Sequence, residues 1–236
     1  MAILELQKVS FTDNSLEIIK NISHSIEQGT VTGFLGKPGS GKSTALKLMA
    51  GLINPTKGAL LFEGKNINSM NRNETLNFRR KTAFMFQDSA LWANQDIYHN
   101  LELPLITHFP EMTNSQLKDR IQEMVELVEY TRPLTNRPAS LSIGEQKKIS
   151  FARALICNPE VLFLDEPTES LDEKTVELII KILQNFVAEH KTLIYVSHDN
   201  ILINSFVSDK IFFADGEIKE KLLLEDPLDD YYEDEL

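Results

Sequence analysis

The run GKPGSGKST at residues 36–44 restricts this chain more than any other stretch of it. Gly36, Gly41, Lys42 and Ser43 have the spacing G-x-x-x-x-G-K-[ST]; Lys37, Pro38, Gly39 and Ser40 fill the interval and Thr44 follows. Glycines permit positive φ and let consecutive backbone N–H groups close on phosphate oxygens. A lysine in this position reaches the β- and γ-phosphates, and the serine hydroxyl suits Mg²⁺. Thr44 falls near the α-phosphate. The flanks agree: TVTGFLG (30–36) reads as a buried strand and residues 42–50 as a helix. A strand that feeds such a loop and then a helix is the phosphate-binding unit of an α/β sheet.

The rest of the chain alternates in the same way. Residues 2–11 and 16–27 read as strands around a polar turn, TDNS, and ALLFEG (59–64) and TAFMFQ (82–87) as two more. VLFLDE (161–166) is a short apolar strand that stops at Asp165 and Glu166, and TLIYVSHD (192–199) is another, ending by His198. Behind a phosphate loop, Asp165 is placed to face a metal and Glu166 to polarise water. Thr113 and Gln116 have capping-box spacing ahead of an amphipathic helix, RIQEMVELVEY. From Asp172 onward, Val176, Ile179, Ile180, Leu183 and Val187 recur at helical spacing. Asp215-Gly216 marks a hairpin turn. The middle, about residues 88–155, reads as a helical subdomain set into the sheet.

LSIGEQKKISFARAL (141–155) poses a question, because Ser142 and Gly144 open a helix, and a helix N-terminus favours an anion. The chain thus carries a second phosphate-facing feature about a hundred residues after the first.

In order, GKPGSGKST, Gln87, LSIGEQ, VLFLDEP, SLD and His198 resemble the nucleotide-binding domain of ABC ATPases over nearly the whole chain. The resemblance implies a single ABC ATPase domain over 1–224: an α/β P-loop NTPase core with an antiparallel β subdomain and an inserted α-helical subdomain. It implies ATP and Mg²⁺ as ligands, with Ser43, Gln87 and Asp165 at the metal. Glu166 is then the catalytic base, Gln87 binds the attacking water, and His198 contacts the γ-phosphate. Ser142 and Gly144 serve the nucleotide bound on a second copy, two subunits sandwiching two ATP molecules head to tail. Asp172 couples the two sites. The second phosphate-facing feature therefore belongs to the partner's nucleotide. Three positions depart from the family pattern: Ile143 replaces a glycine, Glu145 a glutamine, and Asp13 stands where an adenine-stacking tyrosine is common.

No apolar run approaches the roughly 18–20 residues of a membrane helix. A transport role therefore requires a separate integral permease, and the ABC resemblance implies that it attaches in a groove near Gln87 and the helical subdomain, lined by residues 86–105. Trp92, Ile97, Tyr98 and Leu101 either line that groove or belong to the subdomain core. The Gln87-x-x-Ala90-Leu91 spacing and the segment Asn100…Pro104-Leu105 resemble bacterial Mla-type lipid-transport ATPases. That likeness implies phospholipid as cargo, with MCE-domain and regulatory subunits as further partners, at the cytoplasmic face of the inner membrane. Another solute, soluble scaffold assembly and transmembrane signalling are the alternatives.

A net charge of −11 argues against a nucleic-acid partner, which wants a basic face. Seven acids in EDPLDDYYEDEL (225–236) form an acidic tail, either a solvated end or a docking segment. The lone Cys157 excludes an internal disulfide and fits a reducing cytoplasm.

Overall fold

The computed structural model describes residues 2–222; the acidic run 225–236 lies outside the described residues. β1 (Ala2–Asp13) and β2 (Leu16–Glu27) form an antiparallel pair. β3 (Val31–Leu35) then leads through the glycine loop into α1 (Lys42–Met49). β4 (Lys57–Phe62) returns antiparallel to β1, with β5 (Lys65–Asn66) beside it. After α2 (Arg72–Lys81) and β6 (Thr82–Met85), three helices intervene: α3 (Ile97–His108), α4 (Asn114–Leu127) and α5 (Ile143–Leu155). β7 (Val161–Asp165), α6 (Glu173–Ala188), β8 (Thr192–Val196) and α7 (Asn200–Asn204) precede the hairpin of β9 (Asp209–Ala214) and β10 (Glu217–Leu222).

These strands form two sheets. One is antiparallel, in the order β2-β1-β4-β5; the other has six strands in the order β10-β9-β3-β8-β7-β6, parallel from β9 to β6. Every residue of β3, β7 and β8 is buried. A parallel sheet covered on both faces requires this, and it explains the unbroken apolar runs. Alternation divides the runs between two cores. Val161, Phe163, Ile194 and Val196 face the small sheet and α1, whereas Leu162, Leu164, Leu193 and Tyr195 pack towards the helices α3 to α6.

The expected fold class is the observed one, with small shifts at element ends. The strand read at 59–64 begins two residues earlier and ends at Phe62, and those read to 87, 166 and 199 stop at Met85, Asp165 and Val196. Beyond the last three of these ends lie Gln87, Glu166 and His198, which build the site.

Candidate active site

Four parallel strands deliver their C-terminal ends to one edge of the sheet, the usual ligand edge of an open α/β fold. β3 runs into the glycine loop, β6 into Phe86-Gln87, β7 ends on Asp165, and β8 leads to Ser197-His198. Their side chains enclose a cleft of ≈ 880 Å³ whose lining includes Lys42, Ser43, Thr44, Gln87, Glu166 and His198.

Gly36 has φ 132°, and a Cβ there would stand 2.2 Å from the backbone oxygen of Phe213. Only glycine lets the loop pass this close to β9. Lys42 Nζ donates to the backbone oxygens of Gly36 at 2.6 Å and Lys37 at 2.8 Å, tying the loop across its own mouth. Burial pulls the Lys42 pKa down, and the charges of Glu166 and Asp165 push it back up.

Ser43 Oγ donates to Asp165 Oδ1 at 2.7 Å. This pair of hard oxygen donors fits Mg²⁺, which keeps waters and phosphate oxygens rather than a full protein cage. Among the described residues no group of three or more His, Cys, Asp or Glu forms a metal cluster, so a phosphate-assisted site is the arrangement the donors allow. Thr168 Oγ1 is buried beside the cleft without a partner, a polar group that a bound ligand would satisfy.

Glu166 has φ 48°, in the left-handed region. Its N–H donates to the backbone oxygen of Val196 at 3.0 Å, and its Oε2 accepts from the His198 N–H at 3.2 Å. His198 Nε2 lies 3.4 Å from the other carboxylate oxygen. Burial, aided by Asp165 and Glu169, pushes the Glu166 carboxyl up to about 6 against the His198 N–H and Lys42. Burial and the charge of Lys42 lower the His198 pKa. Gln87 Nε2 donates to Glu169 Oε2 at 2.9 Å across the same cleft.

Ser142 and Gly144 are absent from this lining. Ser142 caps α5 in a reciprocal box: its Oγ accepts from the Glu145 N–H at 3.2 Å, and its own N–H donates to Glu145 Oε2 at 2.8 Å. Glu145 thus supports the helix start, and Arg132 Nη1 steadies it at 3.0 Å. A Cβ on Gly144 would meet only Leu171 Cδ2, at 3.7 Å, so the chain itself has room for a side chain there. Ile143 beside it is 61% exposed.

Comparison with known proteins bears directly on this geometry. Residues 19–169 match the family model described as ABC transporter. The chain belongs to that family. It is 33% identical over 215 residues to the ABC transporter ATP-binding protein YtrE of Bacillus subtilis, covering 90% of this chain and 92% of that one. It is 30% identical over 219 residues to the methionine import ATP-binding protein MetN of Clostridium acetobutylicum, covering 92% and 68%. With the lipoprotein-releasing system ATP-binding protein LolD of Buchnera aphidicola it shares 34% over 196 residues, covering 81% and 84%. The solved dimer of the ATP-binding cassette MJ0796 with ADP and Pi superposes with a TM-score of 0.87 at 30% identity, over 95% of this chain and all of that one. The chain is therefore an ABC transporter ATP-binding domain, and its reaction is ATP hydrolysis. None of these relatives carries an Mla-type name.

One feature of this ABC domain is not legible in the sequence. Leu16 and Ile18 of β2 line the cleft near the glycine loop, where Asp13 does not. They are the aliphatic surface available to a base, and the exposed apolar start of β2 was their only signal. Beside residues 86–105 lies a groove of ≈ 410 Å³ lined by Arg79, Arg80, Phe84, Trp92, His108 and Arg153. The structure divides the two alternatives left open for this segment: Ile97 and Leu101 are fully buried core and Tyr98 packs against that core, whereas Trp92 faces the groove. Arg153 lies 5.0 Å over the Trp92 ring and donates to the backbone oxygens of Ser89 and Ala90.

Cys157 also borders this groove, and burial pushes its thiol up to about 11. From a starting value of 9.0, that makes the reactive thiolate about 100-fold rarer at neutral pH. Alkylation by iodoacetamide at pH 8 is expected to be at least about 30-fold slower in the native chain than in urea. Intact-mass time courses measure it, and equal rates would show an open thiol.

Proposed function

We propose that this ABC ATPase closes head to tail on a second copy of itself and so powers a separate integral membrane permease. The observation that carries this reading is the split between the two phosphate-facing features. Lys42, Ser43, Glu166, Gln87 and His198 line one cleft, with Asp165 behind Ser43, while Ser142 and Gly144 lie outside it. An exposed isoleucine and an uncrowded glycine at the start of α5 suit a surface that receives a second subunit. The solved MJ0796 cassette with ADP and Pi is dimeric, which supports the pairing of two copies.

In each cleft Lys42 and the loop N–H groups bind the β- and γ-phosphates. Ser43, Asp165 and Gln87 would hold Mg²⁺, and a bound ion would supply positive charge beside the phosphate oxygens. Glu166, ionised above about pH 6, orients and polarises the attacking water, and His198 holds both that carboxylate and the γ-phosphate. Asp172 caps α6 by accepting from the Thr175 N–H and hydroxyl, which fixes the loop that meets the partner subunit. Closure depends on contacts made only with the γ-phosphate in place, so hydrolysis reopens the dimer.

The permease docks in the groove around Trp92 and Arg153. Its lining, aromatic at Phe84, Phe86 and Trp92 and cationic at Arg79, Arg80 and Arg153, suits a short amphipathic helix. The ATPase unit spans 1–224 with its helical subdomain at about 88–155, and it works at the cytoplasmic face of a membrane. Among the described residues no helix is long and apolar enough to cross one. Phospholipid is the proposed cargo, supported by the Mla-like segment 87–105 and by the likeness to LolD, whose name concerns lipoprotein release. The likeness to MetN favours a second reading, import of a small solute.

A mild-detergent pull-down of the tagged chain from native membranes separates these. A polytopic permease with an MCE-domain protein is the expected catch. A permease with a soluble solute-binding protein would replace the lipid cargo, and soluble partners alone would remove the transport role.

A further inference from the structure

α5 reaches the chain's own active site through Lys147, a residue just past the LSIGEQ run. Lys147 is 2% exposed, and its Nζ donates to the backbone oxygen of Glu166 at 2.8 Å. An ammonium withdrawn from water is costly unless compensated. Burial draws the Lys147 pKa down, and the surrounding carboxylates of Glu169, Glu166 and Asp165 push it back up.

The residue it holds needs holding. Glu166 sits at φ 48°, which crowds any residue that has a Cβ, and Pro167 follows it, which further disfavours a helical backbone there. Its N–H is tied to β8 and its carboxylate to His198. The remaining backbone group, the carbonyl, receives only a long turn bond of 3.4 Å from Glu169 N–H besides the Lys147 ammonium. Lys147 Nζ is thus the short tie on this carbonyl, beside those on the N–H and the carboxylate.

We propose that Lys147 is a positioning residue for ATP hydrolysis: by holding the Glu166 carbonyl, it aims the Glu166 carboxylate at the attacking water. This rests on the role of Glu166 proposed above. Ser142 and Lys147 share one helix, about 7.5 Å apart along its axis. The segment that meets the partner's nucleotide therefore also carries the residue that sets the chain's own catalytic carboxylate.

The test uses the full chain over a range of Mg-ATP concentrations up to saturation and reads phosphate release, KM and thermal melting. Lys147→Met removes charge and donor but keeps the apolar stem. It is expected to lower kcat about 30- to 100-fold while KM stays within about threefold of wild type. Lys147→Arg, which keeps donors, is expected to recover about tenfold of that loss. In a Glu166→Gln background, Lys147→Met is expected to change the residual rate by less than about threefold, because it acts through that carboxylate. Should Lys147→Met lose its cooperative melt, Lys147→Leu, which also lacks a donor, is measured in its place. A kcat within about threefold of wild type, or the same loss in both backgrounds, overturns the proposal. Wild-type turnover by Glu166→Gln alone overturns the role of Glu166; a silent Lys147→Met beside an inactive Glu166→Gln overturns only the role of Lys147.

Discussion

Glu166→Gln is expected to bind ATP normally, to form a stable dimer in its presence, and to hydrolyse it about 10²- to 10⁴-fold more slowly. The side chain keeps its size, and the amide oxygen still accepts the His198 N–H that now reaches Glu166 Oε2 at 3.2 Å. What disappears is a buried base whose pKa, about 6, leaves it ionised at neutral pH yet basic enough to polarise water. None of the phosphate-binding groups changes, because Lys42, Ser43 and the loop N–H groups come from another strand end. Binding and closure should therefore survive while the step that ends closure fails. Phosphate release gives the rate, and light scattering on a sizing column with and without Mg-ATP gives the oligomer. Rapid turnover would remove Glu166 from the chemistry. Slow turnover without a dimer would place the activating surface elsewhere than Ser142 and Gly144.

Legibility followed burial and motif. The strands β3, β7 and β8 are apolar throughout because both their faces are covered, so their runs stand out and their polar exits mark the site. α2 was invisible to periodicity because only Phe78 of its ten residues is buried. Its capping box, Asn71 with Glu74, was a usable signal all the same. The segment 92–101 shows the opposite limit. Ile97, Leu101 and Trp92 are all apolar, and the sequence does not say which of them faces the core and which a groove built partly from Arg79 and Arg153. Lys147 lay further from reach. Its meaning depends on a backbone carbonyl nineteen residues away, and no side-chain pattern encodes that.

Lys42→Ala is the change expected to abolish nucleotide binding while leaving the fold standing. The ammonium is buried, so its removal relieves a desolvation cost as well as losing the attraction of Asp165 and Glu166. These effects oppose each other, and the melting temperature of the free chain should move little. The ties to the oxygens of Gly36 and Lys37 go as well, so the loop loses its internal brace and its cation together. In the wild-type chain, ATP at about 100 times its Kd should stabilise the fold by about 2.7 kcal/mol. At about 2–4 °C per kcal/mol for a chain of this size, that is a rise of roughly 5–10 °C. For Lys42→Ala the rise should vanish at the same ATP concentration, and scanning calorimetry reads both quantities from one sample. A retained ATP-induced rise would show that the loop N–H groups suffice for binding and that Lys42 acts later, on the charge that develops as the γ-phosphate leaves.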